Sequence, residues 1–223
     1  MSALFPLRLS LQVAACATVI TLLAGIPLAY VLARKRFKGK DVLTLVLTLP
    51  MVLPPTVTGY FLLLLIGNNG LFGKAFFSVT GHELGIVFTW YAAVIASFVV
   101  SFPLMLITAR ASMEDVDQEL INASYVLGQS EIKTLLRVVI PLSRRGIIAG
   151  GTLAFARAMG EFGATIMVAG NWPGKTNTMP LTIYTETLYG SWQNALWMVL
   201  LFVAVAAAVM YVSTRMGRRA VKE

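Results

Sequence analysis

Cysteine occurs once and histidine once in this chain of 223 residues, and charged side chains make up only 13% of it. A single thiol, Cys16, excludes a disulfide framework and any cysteine-based metal cluster. Lying in an apolar run, it reads as a small packing residue. A single imidazole, His82, cannot supply the H-E-x-x-H zinc pair. It also has no cysteine, histidine or carboxylate neighbour at ligand spacing, so no metal site is expected. There is no G-x-x-x-x-G-K-[ST] phosphate cradle and no G-x-S-x-G nucleophile elbow. Asp41, Asp115 and Asp117 sit at helix ends or in loops, so an intramembrane hydrolase would lack its paired aspartates. A chain without catalytic equipment and without a cofactor is expected.

Hydrophobic residues, by contrast, are abundant, at 57%. Soluble domains carry about 25% charged residues, roughly twice the share found here. The solvent this composition fits is a bilayer. Five apolar runs are long enough for the roughly 20 residues that a spanning helix needs: 9–33, 41–66, 86–109, 146–169 and 195–214. The first is too long for a secretory signal, and its basic cluster follows the run rather than preceding it. It is expected to be a retained helix.

The net charge of +8 would suit nucleic acid, but its placement argues against that partner, and no nucleic-acid motif accompanies it. Of the 18 Lys and Arg residues, five lie between Arg34 and Lys40, five between Arg110 and Arg145, and four in the tail (Arg215, Arg218, Arg219 and Lys222). Those 14 fall on one side of a five-span layout. Arg8, Lys74 and Lys175 fall on the other side, and Arg157 lies within a span. The bias places the basic loops and the C-terminus in the cytoplasm and the N-terminus outside.

Two spans carry unusual residues. The second contains Pro50, Pro54 and Pro55, followed by Thr56, Thr58 and Tyr60. The prolines remove amide donors, giving either a structural kink or a break that shapes a pathway. The fourth is rich in glycine, alanine and threonine, including Thr152 and Thr165, which lets helix backbones approach closely. It also holds Arg157 and Glu161 at i, i+4. A charge at mid-bilayer costs at least about 2.5–3.5 kcal/mol, so the pair faces protein or a wet cavity. It either locks helices together or lends positive potential to an anion route. In the third span, Ser101 and Pro103 are expected to interrupt the helix. The loops 67–85 and 170–194 read as external, with short helices near Leu71–Phe77 and Met179–Leu188.

The stretch from Asp117 to Pro141 is the longest interval without a membrane-grade run. Val116, Leu120, Ala123, Ser124 and Leu127 recur at helical spacing and predict one apolar stripe. Gly128 stands where a helix stops, Ser130 can cap a second helix, and Pro141 is expected to end it. The result is a helix–glycine–helix elbow within a cytoplasmic loop, 110–145, which by pattern alone is either offered to a partner in water or laid as an amphipathic connection on the lipid surface.

Within the elbow, Asn122-Ala123-Ser124, then Gly128, then Val138-Val139-Ile140-Pro141 resembles the E-A-A-x3-G-x9-I-x-L-P signature of ABC importer permeases. Asn122 replaces the signature's Glu and Ser124 its second Ala, while the Gly-to-Pro spacing matches. LPMVLPPTVTGYFLLL, SFPLMLITAR, LAFARAMGEFGATIMVAGN and PGKTNTMPLTIYT extend the resemblance over nearly the whole chain, to the molybdate, tungstate and sulfate group with molybdate favoured. The resemblance implies an all-α integral membrane protein of the type I importer permease fold, with five transmembrane helices in one domain. It further implies a homodimer in the inner membrane, two cytoplasmic ABC ATPase subunits, and an external oxyanion-binding protein. Glu119, Asn122, Ala123, Ser124, Gly128 and Pro141 would couple to the ATPase. Pro54, Pro55, Thr56, Ser101, Thr152, Arg157, Glu161 and Thr165 are candidates for the pathway or for helix packing. The rival reading, a stand-alone channel or secondary carrier, lacks the expected internal repeat. Five spans are also few for a complete route in one chain unless a two-fold dimer doubles them.

Overall fold

A computed structural model of the chain describes residues 3–219. Every regular element among them is helical. Lys222 of the basic tail lies outside the described residues.

The long helices follow the apolar runs. Helix α1 spans Leu4–Arg34 and runs through Pro27. Helix α5, Trp90–Glu114, is the centre of the bundle. It is apolar on all sides, as a helix enclosed by protein must be. Ala92, Ala93, Ala96, Met105 and Ala109 are fully enclosed. The expected interruption at Ser101 and Pro103 does not occur: α5 is continuous, with both residues buried inside it. A proline removes one amide bond, and membrane helices tolerate that loss where packed neighbours and hydroxyls re-satisfy the backbone. The Ser101 hydroxyl donates to the Phe98 carbonyl at 3.3 Å, one position before the Val99 carbonyl that Pro103 leaves without its amide partner.

The second and fourth runs are broken helices. The second divides into α2, Lys40–Val52, and α3, Pro55–Ile66. Leu53 and Pro54 each precede a proline and are extended, with ψ of 142° and 136°, because a proline disfavours the helical region for the residue before it. Helix α3 leads through a short turn into α4, Leu71–Thr80, and together they form an apolar run of 26 residues. The elbow comprises α6, Gln118–Val126; α7, Glu131–Thr134; a π turn, Leu135–Val139; and α8, Ile140–Leu142. The fourth run divides into α9, Arg144–Met159, and α10, Gly163–Ala169. Helices α11, Met179–Leu188, and α12, Trp192–Arg219, complete the chain.

Among the described residues, four segments are long and apolar enough to cross a membrane unaided: Leu4–Arg34, Pro55–Thr80, Trp90–Glu114 and Trp192–Val212. A fifth arises if Glu131–Leu142 and Arg144–Met159, bent by 76°, act together.

Two apolar clusters stack along the bundle. One, remote from the elbow, joins Leu9, Val13 and Ala17 of α1 to Ala92, Ala96 and Val100 of α5 and to Ala164 and Val168 of α10. The other joins Ala29 and Leu32 to Met105, Leu106 and Ala109, and reaches into the elbow through Val116, Ile121 and Val139. Close approach rather than bulk holds α5 to α9. A Cβ at Gly150 would lie 3.1 Å from the Met105 carbonyl oxygen, the small-residue contact that replaces the hydrophobic driving force in lipid.

Candidate functional site: the elbow and the broken helices

The elbow is built from local capping. The Asp117 carboxylate accepts from the Glu119 amide at 2.8 Å, opening α6. Gly128 closes it with φ of +76°. The Gln129 amide donates to the Ser124 carbonyl at 3.1 Å and the Gly128 amide to the Tyr125 carbonyl at 2.9 Å, the paired bonds of a Schellman stop. The Ser130 hydroxyl then accepts from the Lys133 amide and starts α7. The two arms are joined by a buried hydrogen bond of 2.9 Å between the Ser124 and Thr134 hydroxyls. Serine in place of the signature's alanine therefore supplies an internal fastening.

The apolar stripe differs from the expected one. Val116, Ile121 and Ser124 face inward, while Leu120 and Leu127 face out. The reason is the second arm: Ile121 packs into the cluster that includes Val139 and Leu135, and this rotates α6 away from the register that spacing alone suggests. The outward face consequently carries Leu120, Val126 at 87% exposure and Leu127 at 78%, with Ile132 at 70% on α7. Glu119, Asn122 and Ala123 share the exposed surface of α6, Asn122 accepting from Gln118 Nε2 at 3.1 Å.

Pro141 does not end the second arm. The Ile140 amide reaches back five residues to the Leu135 carbonyl, making the turn before the proline a π turn. That wider turn accommodates the missing donor. The helical path continues to Leu142 and breaks at Ser143. There, Ser112 and Ser143 exchange hydrogen bonds from hydroxyl to carbonyl at 3.3 and 3.1 Å, tying the end of α5 to the start of α9.

Arg34, which sequence reasoning counted only as a topology charge, binds the elbow root. Its guanidinium donates to the carbonyls of Met113 and Val116 and, at 3.2 Å, to Gln118 Oε1. Its neighbour Lys35 pairs with Glu131 at 2.7 Å, and this hydrogen bond holds the Lys35 ammonium above the ordinary lysine range. The end of α1 thus grips both arms. The run of basic residues after an apolar helix was the only available signal. It marks a membrane boundary, but carries nothing about which cation turns back onto carbonyls.

The two helix breaks meet. A Cβ at Gly163, the first residue of α10, would lie 2.9 Å from Pro55 Cβ and 3.2 Å from the Thr56 amide nitrogen. One turn further on, a Cβ at Gly59 would lie 2.7 Å from Met167 Cβ. Glu161, in the break itself, accepts from the Ala164 amide through Oε1 at 2.8 Å and caps α10. Its Oε2 lies 2.8 Å from Arg157 Nη1, with the glutamate side chain 1% and the arginine 32% exposed. The pair expected on one continuous helix face therefore straddles a helix end. Thr165 is buried on α10; Pro54 and Thr56 are exposed at the α2–α3 break. Ser101 and Thr152 lie apart from this contact. Ser101 is enclosed in α5. Thr152 donates to the Ile148 carbonyl at 2.8 Å and faces a cleft that also includes Val209 and Met210 of α12.

An all-helical bundle with a capped elbow at one end and paired broken helices within it fits one class, the membrane transport subunits. Residues 25–223 match the family model described as the binding-protein-dependent transport system inner membrane component, and the chain belongs to that family. Within it, the chain is 44% identical over 179 residues to the molybdenum transport system permease protein ModB of Haemophilus influenzae. That match covers 80% of this chain and 77% of the relative. It is 41% identical to the putative molybdenum transport system permease protein YvgM of Bacillus subtilis, covering 80% and 78%. It is 44% identical to ModB of Escherichia coli K12, covering 79% and 76%. Among solved structures, the fold resembles a bacterial ABC transporter that imports the acidic polysaccharide alginate (TM-score 0.78, 13% identity, 97% of this chain and 79% of that one). It also resembles the MetNI methionine ABC transporter in an inward-facing conformation (TM-score 0.75, 14% identity, 99% of both chains). The fold is that of the ABC importer permeases.

Proposed function

We propose that the chain is the membrane subunit of an ATP-driven importer whose cargo is a tetrahedral oxyanion, with molybdate as the first choice and tungstate or sulfate as the alternatives. Two copies form the route. Two separate ATPase subunits dock on the elbows from the cytoplasm, and an external binding protein delivers the anion. The N-terminus is outside and the C-terminus inside.

The carrying observation is the elbow's outward face. Val126, Leu127 and Ile132 are each at least 70% exposed on a segment rich in polar residues, and Gly128 and Ser130 hold them in place. Apolar side chains displayed in this way outside a lipid-facing helix mark a protein interface. The grip of Arg34 and Lys35, together with the Ser112–Ser143 exchange, gives displacement of the elbow a direct path into α1, α5 and α9. Cargo identity rests on the curated relatives. A bulk selectivity cage is not required of this subunit, since a receptor can select the ligand and the permease need only alternate between states.

Reconstitution of the chain with its cognate ATPase and binding protein in liposomes tests the reading. ATP-dependent uptake of labelled molybdate, competed by tungstate more strongly than by sulfate, is expected. Equal anion flux through the chain alone, with no nucleotide and no partner, would establish a channel or carrier in its place.

A further inference from the structure

Two of the four cations outside the basic loops and tail, Arg8 and Lys175, line one cavity at the end of the bundle remote from the elbow. Its volume is about 670 Å³, within the roughly 300–1,000 Å³ typical of ligand pockets. One wall is a stripe of α1, with Phe5, Arg8, Leu9 and Gln12 at i, i+3, i+4 and i+7. Facing it are Thr89, Trp90 and Tyr91 at the start of α5.

Lys175 is held at the rim by a built turn. The Trp172 amide donates to the Thr176 hydroxyl at 3.0 Å and the Gly174 amide to Asn177 Oδ1 at 2.9 Å, and both accepting residues are buried. Phe88, also in the lining, is the only non-glycine residue with positive φ among those described, at +63°. Its amide is tied to the Val168 carbonyl at 2.9 Å. Strained backbone of this kind persists where surrounding structure over-determines it, and it clusters at ligand clamps. Among the described residues, neither Arg8 nor Lys175 has a carboxylate within ion-pair distance.

We propose that this cavity is a phosphate-type oxyanion site, filled by the headgroup of an anionic phospholipid. Arg8 and Lys175 meet the phosphodiester, Gln12 offers hydrogen bonds to the glycerol oxygens, the Thr89 hydroxyl, whose proton goes to the Ile86 carbonyl, accepts from a headgroup hydroxyl, and the aromatic wall takes the upper acyl chains. Trp90 and Tyr91 stand where ring side chains sit at a membrane–water boundary. The apolar lining favours a lipid over a bare dianion, which would call for a small polar cage. None of the lining residues belongs to α3 or α10, and the site does not depend on which cargo the importer carries.

Native mass spectrometry of the full chain, purified in neutral detergent, reads the site directly. The probes are short-chain phosphatidylglycerol, short-chain phosphatidylcholine, and inorganic molybdate or sulfate. Phosphatidylglycerol adducts are expected to exceed phosphatidylcholine adducts. They should fall roughly twenty-five-fold in affinity in Arg8→Ala/Lys175→Ala, two surface cations contributing about fivefold each. Lys74→Ala should leave them unchanged. Adducts of the free oxyanions that show the same dependence would support the site and reassign its source. Equal binding of both lipids with no oxyanion adduct, or adducts indifferent to the double variant, would overturn it. A photoactivatable phosphatidylglycerol needs no variant. Labelling concentrated in residues 88–91 or 172–176 supports the proposal, and labelling spread evenly over the helices sinks it. Loss of the lipid with uptake intact leaves the transport reading untouched.

Discussion

Gly128 and Glu161 show how single positions shape the elbow and the end of α9. Gly128 has open space around its α-carbon, so a side chain there meets no clash. The cost is the left-handed backbone, roughly 1–2 kcal/mol for a residue with a Cβ. Gly128→Val is therefore expected to leave membrane insertion intact while tilting or fraying the end of α6. In the reconstituted system, uptake should drop at least tenfold and stimulation of the partner's ATPase should be lost. Normal uptake by this variant would remove the elbow from the mechanism. Glu161 serves two groups at once, Arg157 and the Ala164 amide. Glu161→Leu should lower stability by roughly 1–3 kcal/mol through the lost cap and the unpaired guanidinium. Glu161→Gln should lose less, since it keeps an acceptor for the cap. Thermal unfolding in detergent separates the two. Spacing alone made Arg157 and Glu161 partners; that the glutamate also caps α10 was hidden, because nothing in AMGEFGA announces a helix end after Met159 as clearly as a proline would.

At the scale of elements, the breaks rather than the long helices distinguish this chain. Helices α3 and α10 touch backbone to backbone through Gly59 and Gly163, and overfilling such a contact costs roughly 1–3 kcal/mol. Gly163→Val should separate α10 from Pro55 and Thr56. An altered distance between spin labels on α3 and α10, with reduced uptake, is the expected result; an unchanged distance would mean the contact yields without consequence. A disturbance at Pro54-Pro55 was legible because two consecutive prolines disfavour a continuous helix; that it is a full break rather than a kink was not. The continuity of α5 through Pro103 was not, because it depends on neighbours that re-satisfy the backbone. The outcome at Pro141 depended likewise on a π turn, which no local spacing encodes. In α6 the period of apolar residues was read correctly as helical. Its inward face, however, was set by Ile121 docking against the second arm, so Leu120 and Leu127 turned outward.

At the scale of the molecule, the chain offers a capped elbow to water at one end and an apolar perimeter elsewhere. Helix α12 and the α3–α4 run are the least enclosed of the spans, with 11% and 17% of their apolar windows buried, against 67% for α5. These perimeters are left for lipid and, in the assembly proposed above, for a second copy. The orientation proposed above has a direct check. In a Cys16→Ser background, Ser130→Cys in the elbow should react with a membrane-impermeant maleimide only after the cells are opened. Ser78→Cys in α4 should react in intact cells. The reverse pattern would invert the layout and place the elbow out of reach of a nucleotide-driven partner.

Sequence by itself determined the solvent, the helical class, the location of the elbow and its capping residues, because these follow from composition, from charge asymmetry and from interactions between residues a few positions apart. The resemblance carried in the elbow and around Ala154–Thr165 determined the family. Tertiary structure alone decided which face of the elbow is free, which cation grips its root, where the fourth run divides, and that the two breaks meet at Gly163 and Pro55. Those outcomes depend on contacts between segments tens to more than a hundred residues apart. A short helix or a proline has several nearly equal local solutions, and the choice among them is made by whatever packs against it.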